Sequence, residues 1–173
     1  MNVQYAVRLS KNATTLGKEE LSMNIENIDK VISIMGRIHE SNFYIGSWQS
    51  NSYSDNIFDE KQIVECGTTC CISGWMRVSA EFRDLQDPEC LTSAAFIINK
   101  EHLNWTEENS IAEVLGISES LASRLIYAGS SLYIPYVEEY NKKNDPYGEL
   151  LETLIKPKHV IAILEDIKAG KIQ

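Results

Sequence analysis

Basic residues are in short supply: 16 Lys and Arg stand against 25 Asp and Glu, for a formal charge of -9. They are scattered instead of forming a stripe, so the field that draws a chain to DNA, RNA or an anionic membrane is missing. Long apolar runs are missing as well. None approaches the ~20 residues that span a bilayer, and the opening MNVQYAVRLSKN carries no apolar stretch of the kind that directs secretion. The expectation is a cytoplasmic protein that binds neither nucleic acid nor membrane. Histidine is scarce, at three residues. His39, His102 and His159 have no ligand-spaced neighbours and Cys90 stands alone, so Cys66, Cys70 and Cys71 do not complete the two-plus-two pattern of a zinc site. Neither a metal nor a cofactor is expected. The cysteines number four, but a domain of this size needs no staples and a cytosol keeps thiols reduced, so disulfides are not expected either. No fixed-period repeat or low-complexity tract appears, which removes solenoids and linker arrays.

What is present is an ordinary globular composition, 43% apolar and 24% charged over 173 residues. A chain of that length buries roughly 70% of the surface its unfolded form exposes. The patterning predicts a mostly α, single compact helical domain over residues 1–173, with one long aromatic loop and room for two or three short strands. Val3, Tyr5, Val7 and Leu9 alternate with polar residues, so residues 1–20 read as a strand or an arm. Leu21 to Ile38 places apolar residues three and four apart, a helix over about 24–40 capped by Asn24. Residues 41–56, SNFYIGSWQSNSYSDN, lose that period and read as the loop, with short strands near Tyr44 and Val64. Helical spacing returns at Cys71, Trp75, Val78 and Phe82, with Thr68 or Thr69 as N-cap. Asp87-Pro88, Thr106, Ser118, Pro135, Asp145-Pro146 and Pro157 mark further helix starts, and Gly116, Gly129 and Gly170 mark ends.

The stretch Cys66 to Trp75, CGTTCCISGW, concentrates glycine, threonine and three cysteines where a loop becomes a helix. Together with Phe43-Tyr44-Ile45-Gly46-Ser47-Trp48 upstream and Val114-Leu115-Gly116-Ile117-Ser118 downstream, it resembles a group of small uncharacterised bacterial and bacteriophage proteins. Their pattern is a tryptophan loop, a CGTxxCxAGW segment and an LGL or LGIS helix turn. The likeness spans about residues 25–130. It departs at Ser73, where alanine is usual, and Cys70 falls on a variable position. The resemblance implies a bacteriophage accessory protein acting in host cytoplasm and supplies no catalytic residue.

Several constellations compete for function. A cysteine in the first turn of a helix meets unpaired N–H groups that favour its thiolate, which makes Cys70, then Cys71, the candidate nucleophiles. The competing reading is that Cys71 is small buried filling. The same helix start could hold an anion such as a nucleotide phosphate, with Gly67 admitting close approach and Thr68 and Thr69 supplying hydroxyls; plain capping explains those threonines more simply. Residues 111–126 imitate a helix-turn-helix, yet the second helix offers only Glu119 and Arg124 where bases and phosphates need several donors. A helical hairpin accounts for it better. Ser41 to Asn56 mixes Ser and Asn with rigid aromatics, a composition suited to recognition. Tyr127, Tyr133, Tyr136, Tyr140 and Tyr147 form a second aromatic group that equally suits core cover. Glu107-Glu108 and Lys142-Lys143 read as solvated helix ends.

The leading reading is a non-enzymatic binding protein that engages a host or phage protein through Tyr44, Trp48 and Tyr53 and through the helix start at Gly67, Thr68 and Thr69. The alternative is a thiol-dependent enzyme on Cys70 or Cys71, or a binder of a small anionic ligand at residues 67–71.

Overall fold

Apolar residues at helical spacing from Ile28 to Met35 form one continuous face, and that face organises the molecule. A computed structural model describes residues 22–46, 61, 69–85, 107–127, 129–141, 143, 145 and 149–173. The expected strand or arm at 1–20 lies outside them, as do Val64 and the helix start at Asp87-Pro88. The described residues are mostly helical. The expected short strands reduce among them to one isolated parallel bridge, between Phe43 and Cys70. Two crossing residues are not enough to make a strand, because the chain turns into helix directly after Cys71.

Helix α1 runs Ile25–Arg37, and Asn24 caps it by accepting the Asn27 N–H on its side chain at 3.1 Å. It ends short of the expected Glu40. Ile38 is extended, and the chain then makes a single 3-10 turn over Glu40–Asn42. Helix α2, Ile72–Val78, is buried along its whole length, including Ser73, Gly74 and Trp75. A 3-10 segment, Ala80–Leu85, follows it, and Glu81 there takes a two-pronged pair from Arg37 at 2.8 and 3.0 Å.

Helices α3, Glu107–Leu115, and α4, Glu119–Ile126, form the hairpin that the leucine spacing predicts. Ile111, Leu115, Leu121 and Leu125 are buried between them and the rest of the core, and Ser118 caps α4 by accepting the Leu121 N–H at 3.2 Å. The turn depends on Gly116. Its φ of +63° lets the Gly116 N–H reach the Glu113 carbonyl at 3.2 Å and the Ile117 N–H reach the Ala112 carbonyl at 3.0 Å, closing α3 in a Schellman motif. The start of α1 covers the same end. The Asn24 N–H donates to the Leu115 carbonyl at 2.9 Å, and Asn27 Nδ2 donates to the Val114 carbonyl at 2.7 Å. One helix's orphan carbonyls are thus satisfied by the other's first turn.

Pro135 lies in a 3-10 turn, Ile134–Tyr136. Helix α5, Glu149–Leu154, begins a few residues after the predicted Asp145 signal, and buried Asp145 accepts the Leu151 N–H at 3.0 Å. Helix α6, Pro157–Lys168, starts on the predicted proline and ends at Gly170. It lies along α1, where Val160, Ile163, Leu164 and Ile167 meet Ile28, Val31, Ile34 and Met35, all at 1% exposure or less. Lys168 and Asp29 pair at the rim of that contact.

Candidate functional site

The two segments singled out by sequence meet at Asn42. Its carbonyl accepts the Cys70 N–H and the indole N–H of Trp75, each at 3.1 Å, and the Tyr44 N–H donates to the Cys70 carbonyl at 3.1 Å. The head of the aromatic loop is therefore fastened to the start of α2. Phe43 and Ile45 turn inward and are buried, while Tyr44 is half-buried. Trp48, Tyr53, Gly67 and Thr68 lie outside the described residues. Thr69 is half-buried and stands two residues ahead of the N-cap.

That N-cap is Cys71, a correction to the expectation of Thr68 or Thr69. Cys70 lies outside the helix altogether, at 1% exposure in the bridge with Phe43. Helix α2 has only 7 residues. Its N-cap side chain makes no capping hydrogen bond, although the Cys71 sulfur stands beside the N–H groups of Ser73 and Gly74. Cys71 itself is 4% exposed. Burial pushes its thiol up, the nearby Glu107 carboxylate adds to that, and the hydrogen bonds from Ser73 and the backbone only partly oppose it. The group is held as a thiol, against the activation that a first-turn cysteine would otherwise gain.

From Cys71 a polar chain leads outward. Cys71 Sγ lies 3.1 Å from Ser73 Oγ, which in turn donates to Glu107 Oε1. Glu107 is half-buried at the first position of α3, so its reading as a solvated helix end is corrected. Burial pushes its carboxyl above the ordinary range despite the Ser73 donor, with the neighbouring Glu108 charge adding to the rise.

These groups open on a cleft of about 230 Å³. Cys71 and Glu107 form one side, Gly46 and Glu152 another, and Tyr127 the rim, with Ile45 and Ile126 as apolar walls. Glu152 comes from α5 and lies so close over Gly46 that a Cβ there would overlap its Oε1. Its hydrogen bond with Tyr44 is the main cause that raises the Tyr44 phenol above its usual range. Tyr127 is 66% exposed, whereas Tyr133 is fully buried and donates to the Leu125 carbonyl. Tyr136 donates to Asp166 at 2.7 Å, and burial with that carboxylate pushes its phenol up to about 12. The second aromatic group therefore divides, with Tyr127 facing the cleft and Tyr133 and Tyr136 turned to other partners.

Sequence reasoning missed Glu152 and Ser73 as partners in this place, and no short-range signal marks them. Ser73 and Glu107 are 34 positions apart in the chain. Among the described residues no three His, Cys, Asp or Glu side chains are grouped to hold a metal ion, and no helix is long and apolar enough to cross a membrane. No family model, curated protein or solved structure matches the chain.

Proposed function

We propose that the chain is a small binding protein without catalytic turnover, which engages a host or phage protein through one face built from residues 41–56 and the start of α2. The observation that carries this reading is the double use of the Asn42 carbonyl by Cys70 and Trp75. It fastens two separate sequence segments to each other beside the cleft. A host-cytoplasmic, bacteriophage setting rests on the resemblance of the CGTTCCISGW segment.

Binding is favoured over reaction because the cleft's sulfur is a buried thiol whose side-chain hydrogen-bond partner is a serine, and the carboxyl bonded to that serine holds its proton more readily than usual. A thiol enzyme needs the opposite arrangement, with an adjacent base that withdraws the proton. The lining also speaks to the partner's charge. Glu107 and Glu152 converge there with no basic residue among the described groups that line the cleft, and exposed Tyr127 adds an aromatic face. A lysine or arginine side chain of the partner suits this lining, while a phosphate or carboxylate is repelled.

The test is affinity capture from a host lysate with the wild type, with Trp48→Ala combined with Tyr53→Ala, and with Tyr127→Ala. Loss of the same protein in both variants supports the single face. Unchanged recovery in both overturns it.

A further inference from the structure

Helix α6 begins without a side-chain oxygen at its N-cap. Lys156 holds that position, and a lysine side chain carries donors only. The cap comes from within the helix instead: His159 Nδ1 accepts the Lys156 N–H at 3.1 Å. This is the half of a capping box that a glutamate or glutamine ordinarily supplies from the third helical position. An imidazole can serve only while Nδ1 keeps its lone pair, with the ring proton on Nε2. A second proton turns the acceptor into a donor aimed at another donor.

His159 is 6% exposed, so the ring cannot readily swing out to avoid that clash. The charged groups around it come from three places. Lys156 and Lys158 belong to the helix start, Glu139 follows the Ile134–Tyr136 turn, and Glu40 opens the turn that leads into Phe43 and Tyr44. Burial and the two lysines oppose the proton and the two carboxylates favour it; the balance holds the imidazole below its ordinary range. The positive end of the helix dipole works in the same direction.

We infer that His159 is a proton-operated cap: neutral, it closes the first turn of α6, and protonated, it releases that turn. The device is independent of the proposed binding activity. It would loosen the joint of the terminal helix beside Glu40 when the surroundings turn acidic.

Amide hydrogen exchange at Lys156, followed by NMR in the full chain from about pH 7 to about pH 5 and corrected for intrinsic exchange, tests the inference. Wild-type protection should fall about tenfold across that range. In His159→Gln, whose side-chain oxygen keeps the acceptor without titrating, protection should stay level. In His159→Ala it should be low throughout. A level wild-type profile, or an equal fall in His159→Gln, overturns the inference. Should both variants fail to fold, nitrogen shifts of the wild-type ring decide alone: a neutral form protonated at Nδ1 overturns it, and one protonated at Nε2 supports it.

Discussion

The indole N–H of Trp75 donates to the backbone carbonyl of Asn42 at 3.1 Å, and this bond fastens a fully buried helix to the head of the aromatic loop. Trp75 is 1% exposed, and Ser79 Oγ donates to its own carbonyl at 2.7 Å. Trp75→Phe deletes the donor and leaves unfilled volume. The Asn42 carbonyl keeps the Cys70 N–H, so no buried acceptor is orphaned. The expected loss is about 1–3 kcal/mol of unfolding free energy, read from urea denaturation.

Two glycines should answer an added methyl group with opposite signs. Gly36 lies in α1, and a Cβ added to it would meet nothing within 4 Å, so Gly36→Ala exchanges a flexible helical residue for the best helix former. A gain of about 0.5–1 kcal/mol is expected. At Gly116 the same methyl would collide with the Ser22 carbonyl oxygen and stand 2.7 Å from the Asn24 nitrogen, on a backbone with φ +63°. Both neighbours are main chain and cannot step aside. Gly116→Ala should cost about 2–4 kcal/mol, and thermal melts of the two variants give the comparison directly.

The sulfur of Cys71 should be inert in the native protein. Its burial and raised proton affinity predict iodoacetamide modification at neutral pH about a hundredfold slower than in the urea-unfolded chain, because reaction waits on opening. Peptide mapping by mass spectrometry reads each cysteine separately. Fast native labelling of Cys71 would favour a thiol enzyme over a binding protein.

Glu107 predicts a stability slope of definite sign. Its folded carboxyl is raised above 4.5, mainly by burial, so between that value and the folded one the native state holds the proton more often than the unfolded state. Stability from this group is present in full at lower pH and is lost as pH rises through the folded value. Glu107→Gln keeps an oxygen for Ser73 and removes the ionisation. Its chemical denaturation profile should lose that downward slope and lie above wild type at neutral pH. His159 acts in the reverse sense. Its lowered folded value means that stability is present above about 6.5 and lost as pH falls.

Much of the helical framework is legible in the sequence. Asn24 and Ser118 cap the helices that the spacing assigns to them, Pro157 opens the last helix, and Gly116 and Gly170 close theirs at positive φ. Such signals are local, since a cap or a left-handed turn is satisfied within a few residues of itself. The start of α2 misleads for the same reason. Thr68 and Thr69 have capping chemistry, but the pairing of Cys70 with Asn42 and Phe43 delays the helix until Cys71 takes the position. Glu107 misleads similarly, because an acidic residue in a first turn ordinarily points to water, whereas here Ser73 receives it.

Spacing and turn chemistry in the chain alone determined that this protein is mostly helical, where the helices capped by Asn24 and Ser118 and opened by Pro157 begin, where those closed by Gly116 and Gly170 end, and which faces are apolar. The tertiary structure alone decided that Cys71, Ser73 and Glu107 form one hydrogen-bonded chain, that Glu152 closes over Gly46, and that His159 stands in for a missing cap oxygen. Helical periodicity fixes which side of an element faces inward, but not which residue of another element will be opposite. That depends on how the helices are set against one another, and so does the character of the cleft.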